Sequence, residues 1–190
     1  ASAVEHRFNL DEGRETLRRN RLLPGERNPR ARWLAAQWLA GEGARHLLLA
    51  GRSPPDAAAQ NALAALQAQG VQACVVSADV SVADGVQRLM DALDGGLPPL
   101  GGVIHCAAVL DDGVLARQSV ERFARVMGPK ADGAWRLHAA LERQGHSPEF
   151  VVLYSSLSSV FGSPGQGNYV AANAFLDALA HHRRGQDLAA

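Results

Sequence analysis

Short apolar runs alternate with helical stretches along most of this sequence, and few folds accommodate that alternation. Residues 46–50, 71–77, 103–105 and 150–154 are rich in aliphatic and β-branched side chains, and they read as strands. Residues 31–42 place Ala31, Leu34, Ala35, Trp38 and Leu39 at helical spacing, with Gly41 and Gly43 ending the run. Further helical patterns follow Pro54 and Pro55, follow Ser81, which is expected to cap its helix, and fill the segment GVLARQSVERFARVM. Gly128 and Pro129 interrupt that helix before ADGAWRLHAALERQ resumes it. Strands alternating with helices predict βαβ units, hence an α/β fold with a doubly wound parallel sheet.

The chain has 190 residues, enough for one domain with a real core. Basic and acidic residues balance at 19 each, which excludes a nucleic-acid or membrane surface as the obvious partner. No apolar run is long enough to span a bilayer and no signal-peptide pattern opens the chain, so a cytoplasmic location is expected. Cys74 and Cys106 lack metal-ligand spacing and each sits in or beside a predicted strand; buried free thiols are expected, rather than a disulfide or a metal site.

The stretch 150–182 concentrates the chemistry. A strand ends in Ser155, Ser156, Ser158 and Ser159; Gly162, Pro164, Gly165 and Gly167 then form a loop; a helical pattern begins at Tyr169. Tyr169 and Asn173 are four apart and share a helix face. A hydroxyl at a strand end thus faces a phenol at a helix start, at the end of the strands where open α/β sheets bind ligands. Composition adds Lys130. It is the one lysine among the 19 basic residues, the rest being arginine. An ammonium is a compact charge whose pKa shifts on burial, a property arginine lacks; chance survival of a surface lysine is the alternative.

A Rossmann-like fold normally opens with a strand, a Gly-rich turn and a helix. The helix at 31–42 suits that role, yet no GxGxxG occurs in the sequence, and no clear apolar strand precedes the helix. That strand is central in the usual order, between the strands at 46–50 and 103–105, so its loss leaves two half-sheets. The fold is therefore expected to be incomplete, lacking the Gly-rich loop with its first strand and the C-terminal strands. Residues 14–24 could stand in as a substitute strand, although their pattern is poor for a central one.

From about residue 35 to 184 the chain resembles a ketoreductase domain of a modular polyketide synthase, in the short-chain dehydrogenase/reductase superfamily. The segment SSLSSVFGSPGQGNYVAANAFLDALAHHRR carries most of the likeness. Ordinary members of that superfamily place a lysine four residues after the tyrosine. Here Asn173 holds that position, and the lysine comes from VMGPKADGAWRLH, as it does in synthase-embedded ketoreductases. The resemblance implies a catalytic set of Tyr169, Ser156, Lys130 and Asn173. Tyr169 would give a proton to the substrate carbonyl. A free phenol has a pKa near ~10, so it needs a neighbouring cation, which the resemblance assigns to Lys130. Ser156 would hydrogen-bond the same oxygen, and Asn173 would hold Lys130 or a relay water.

The resemblance also implies NADPH, held by Arg52, Asp79, Ala107, Lys130 and Tyr169, with Ala108 beside Ala107. Arg52 follows the strand where an acidic residue would bind a free ribose hydroxyl and an arginine accommodates a 2′-phosphate; a solvated turn arginine is the alternative. Leu110, Asp111 and Asp112 match the marker of B-type reduction, and Phe161 stands where A-type domains carry tryptophan; Asp112 could equally cap a helix. The implied product is a D-configured (3R) β-hydroxyacyl thioester on an acyl carrier protein, with neighbouring synthase domains as partners. Residues 1–30 would be a linker or the tail of a preceding structural subdomain, and 31–190 the catalytic domain. The competing reading is a ketoreductase-like scaffold without activity. A free-standing epimerase or alcohol dehydrogenase is disfavoured by Asn173 in the usual lysine position.

Overall fold

The computed structural model describes residues 30–190. The expectations of a linker over residues 1–30 and of a substitute strand over 14–24 lie outside the described residues, except for Arg30, which opens a helix. Helix α1 (Arg30–Gly41) leads into strand β1 (His46–Gly51), then α2 (Ala57–Ala68), β2 (Gln72–Ser77), α3 (Ala83–Asp94) and β3 (Gly102–His105). After a 3-10 turn at Leu115–Arg117 come α4 (Val120–Met127), a π-turn (Gly128–Asp132), α5 (Gly133–Arg143), β4 (Phe150–Leu153), the one-turn helix α6 (Ser158–Phe161) and α7 (Gly167–Arg184).

The strands form two parallel pairs. β1 lies beside β2 with Leu48 opposite Cys74, and β3 lies beside β4 with Val103 opposite Val151. No hydrogen-bonded ladder joins the pairs among the described residues. Among the described residues the sheet is thus divided, at the place where the first strand is expected to be missing. From α1, Arg32 reaches this division: its Nη1 donates to the Ala50 carbonyl, and its charge is felt at Cys106, just past β3.

Alternation along β1 shows why helices lie on both faces. Leu47 and Leu49 pack with Trp33 and Ala36 of α1 and with Ala59 and Leu66 of α2. Leu48 and Ala50 point the other way, into a second core of Val86, Leu89 and Met90 from α3 and Ala140 and Leu141 from α5. Val103 of β3 packs against that second core, so the two strand pairs share it despite their separate ladders. A third core joins Ala134 of α5 to Leu176 and Leu179 of α7 over Leu153.

Local chemistry sets several ends. Asp56 caps α2 by accepting from the Ala59 amide at 2.8 Å, and Ser119 caps α4 by accepting from the Arg122 amide at 3.4 Å. Three expectations need correction. Val82, not Ser81, holds the N-cap position of α3, because the Ser81 hydroxyl donates to Asp79 Oδ1 at 2.6 Å. Gly128 and Pro129 do not break the helix; they open a π-turn through which α4 runs into α5. Cys74 is free but exposed rather than buried, since alternation along β2 sends Ala73 inward and Cys74 outward. Cys106 is free and half-buried.

Candidate active site

The C-terminal ends of the strands carry four of the residues singled out in the sequence. Arg52 follows β1, Asp79 follows β2, Ala107 follows β3 and Ser156 follows β4. The decisive side chain arrives from elsewhere. Lys130 lies in the π-turn and is 2% exposed. A π-turn adds a residue to the helical ring and commonly marks functional positions; here it turns Lys130 inward.

Its ammonium is held by three partners. Lys130 Nζ donates to the Tyr154 carbonyl at 2.6 Å and to Asn173 Oδ1 at 2.8 Å. It also stands 5.2 Å from the centre of the Tyr169 ring. Asn173 is fully buried and its Nδ2 donates back to the Tyr169 carbonyl at 2.8 Å, which fixes which way its amide oxygen points. Burial lowers the Lys130 pKa to about 8, against the raising influence of Asp177 and Cys106. Beneath the π-turn sits His105, 4% exposed at the end of β3. Burial lowers its pKa to about 4, partly opposed by the backbone acceptors of Pro129 and Lys130, so the ring is neutral at pH 7.

Ser156 hangs on a loop braced against α7. Its Oγ accepts from the Ser158 amide at 3.2 Å and from the Ser158 hydroxyl at 3.0 Å, which leaves its own proton free for another acceptor. Ser155 Oγ donates to the Asn173 carbonyl at 3.3 Å. The next loop turns at Gly162 and Gly165, whose φ values of +73° and +75° suit glycine alone.

The Leu110–Asp112 loop is fastened from two sides. Asp111 accepts from Arg122 at 2.6 and 2.9 Å and from Arg125 at 2.8 Å. Asp112 accepts from the Gln166 amide at 2.9 Å, the Asp111 carbonyl accepts from Asn168 at 2.8 Å, and the Gly113 amide donates to Gly165 at 2.7 Å. Asp112 therefore caps no helix. Phe161 stands on α6, 80% exposed, beside exposed Leu157 and Val160.

Arg52 is exposed. Burial alone would raise the Asp79 carboxyl, but the Ser81 hydroxyl and amide, with the Arg52 charge, hold it below its ordinary value. The exposed Arg52 guanidinium, the fixed Asp79 carboxylate and the small Ala107 and Ala108 are residues that could hold the adenosine end of a nicotinamide dinucleotide. Sequence reasoning named Ser159 without giving it a role, and missed Asp177, Arg122 and Gln166. Asp177 was within reach, being one turn beyond Asn173.

The family described as the KR domain matches residues 33–190. This chain belongs to that family. It is similar to a polyketide synthase, GfsB, of Streptomyces halstedii, at 48% identity over 149 residues, covering 78% of this chain and 3% of that protein. It is also similar to a phenolphthiocerol synthesis type I polyketide synthase of Mycobacterium marinum, at 45% identity over 157 residues, covering 82% of this chain and 7% of that protein. The KR domain thus spans a small part of the curated relatives it matches. Among solved structures, the ketoreductase described as N-terminal in the macrolactin assembly line aligns with a TM-score of 0.77 and 30% identity, over 82% of this chain and 32% of that one. A structure of A-type ketoreductases from a modular polyketide synthase aligns at 0.74 and 35% identity, over 82% of this chain and 33% of that one. The KR domain is therefore of the polyketide synthase type, on the α/β Rossmann-like fold of the short-chain dehydrogenases. Among the described residues no helix is long and apolar enough to cross a membrane.

Proposed function

We propose that this KR domain reduces a β-ketoacyl thioester, carried on the phosphopantetheine arm of an acyl carrier protein, to a D-configured (3R) β-hydroxyacyl thioester, with NADPH as reductant. Residues 31–190 would be the catalytic unit, working in the cytoplasm beside other synthase domains. The observation that carries the reading is the buried Lys130 ammonium, held between Asn173 Oδ1 at 2.8 Å and the Tyr169 ring at 5.2 Å.

NADPH, held by Arg52, Asp79, Ala107, Lys130 and Tyr169, would supply the hydride for the carbonyl carbon. The protein's share is the proton and its field. Tyr169 gives its hydroxyl proton to the carbonyl oxygen, so the alcohol forms with one hydride and one proton. Lys130 favours the phenolate this leaves behind. Ser156, whose proton is uncommitted, donates to the same oxygen as charge builds there. Asn173 fixes Lys130 and is itself fixed by the helix backbone. Arg52 and Asp79 suit the adenosine end, and Arg52 favours a 2′-phosphate. The Leu110–Asp112 loop and Phe161 support B-type hydride delivery.

The inactive scaffold remains the second reading, favoured by the divided sheet. Incubation with NADPH and a β-ketoacyl N-acetylcysteamine thioester, followed by chiral chromatography, separates them. NADPH consumption with a 3R product is expected. Absence of both binding and turnover would overturn the enzymatic reading, and a 3S product would overturn the stereochemical one.

A further inference from the structure

Tyr169, Asn173 and Asp177 succeed one another at intervals of four on α7, so they line one face of it. The first two meet Lys130. The third reaches the serine loop: Ser159 Oγ lies 2.5 Å from Asp177 Oδ2 and 2.8 Å from the Ser156 carbonyl. A hydroxyl owns one proton, and both of these partners accept. The shorter contact, to a carboxylate, takes it. The Ser156 carbonyl is still served by the Ser159 amide at 3.0 Å. Asp177 is therefore bonded to the loop that carries Ser156, from the same helix face that carries Tyr169.

We propose that Asp177 is a positioning residue: it ties the Ser156 loop to the Tyr169 face of α7 and sets one negative charge a helical turn beyond Asn173, the residue that holds the Lys130 ammonium. Its importance for carbonyl reduction rests on the function proposed above; the tether and the charge do not.

The surroundings of Lys130 make the charge matter. From β3 and its end it meets His105, neutral at pH 7, and Cys106, whose thiol burial pushes up. From the β4 side it meets the Tyr154 carbonyl, and from α7 the Tyr169 ring and the neutral Asn173 amide. Asp177 is the carboxylate acting on it, and it works against the burial that lowers the lysine pKa. Removing that charge leaves burial less opposed. Removing Ser159 leaves the charge and releases the loop.

The single lysine makes the test direct. Lysine labelled with carbon-13 at Cε gives one resonance in the 190-residue chain, and its pH titration reads Lys130 alone. The wild-type midpoint is expected near pH 8. Asp177→Asn should lower it by roughly 0.5 unit or more, and Asp177→Glu should restore it. An unchanged midpoint in Asp177→Asn overturns the charge role. An unfolded variant moves the other way, towards the ordinary lysine value of about 10.4, so loss of fold does not mimic the expected result. Ser159→Ala tests the tether: amide exchange at residues 158–161 should quicken by about tenfold or more while the Lys130 midpoint stays put. Unaltered exchange overturns the tether. A chain that never oxidises NADPH but gives both results refutes the proposed reaction and leaves the role of Asp177 standing.

Discussion

Lys130 and Asn173 are 43 positions apart in sequence and 2.8 Å apart in space. The lysine side chain spans from the π-turn to the middle of α7, and the asparagine is oriented to receive it by its own bond to the Tyr169 carbonyl. Asn173→Ala deletes an acceptor from a buried cation, and no water-exposed route replaces it. Hydrogen bonds to charged groups contribute about 1.5–3 kcal/mol, so urea unfolding should show a loss of that order.

Tyr169→Phe removes one oxygen and keeps the ring that Lys130 faces. Under the proposed mechanism turnover falls by about 10²-fold or more. NADPH binding, followed by fluorescence titration, should weaken far less than turnover, since Arg52, Asp79, Ala107 and Lys130 remain. Full turnover in the variant would remove Tyr169 from the role of proton donor.

Burial of Lys130 predicts a stability that depends on pH. Its folded pKa of about 8 lies below the ordinary 10.5, so between those values the unfolded chain binds more protons. Stability should rise as pH climbs through that window, by about 3 kcal/mol from this group. Lys130→Met should flatten the rise. Urea midpoints of the two proteins at matched pH values check this.

His105 predicts the same sign at lower pH. Its folded pKa of about 4 lies below the ordinary 6.5, so acidification through that window protonates the unfolded chain first. Stability should fall between pH 6.5 and 4, by about 3 kcal/mol from this ring. His105→Asn keeps a polar side chain without the titration and should lessen the acid slope seen in urea melts.

The two arginines on Asp111 should not be equal. Arg122 is 27% exposed and bonds Asp111 twice; Arg125 is 62% exposed and bonds it once. Arg122→Ala should cost about 1–2 kcal/mol, and Arg125→Ala less than about 1. If the loop steers hydride delivery, Arg122→Ala also erodes the 3R excess measured by chiral chromatography.

The alternation of strands and helices was legible because β1 must bury Leu47 and Leu49 on one face and Leu48 and Ala50 on the other. The divided sheet was legible too, from the absence of an apolar segment before α1. Lys130 stood out by composition, but the π-turn that buries it did not, since Gly128 and Pro129 read as a break. Cys74 was misread because an aliphatic run hides which alternate residues face outward. Asp177 and Arg122 went unseen for another reason. Their importance lies in partners 18 and 11 positions away, and a charged residue on a helix face looks solvated until its partner is placed.

The division of the sheet sorts the chemistry by position along the chain. Ser156, Lys130, Tyr169, Asn173 and Asp177 all lie after residue 101, with β3 and β4, while Arg52 and Asp79 lie before residue 95. The stretch 95–101 is rich in glycine and proline and carries none of these residues. A crossover there would carry the whole set proposed to handle the proton as one cassette into a sister domain. The recipient would keep its own counterparts of Arg52 and Asp79, and the cost would fall on the α3–α5 packing that joins the halves.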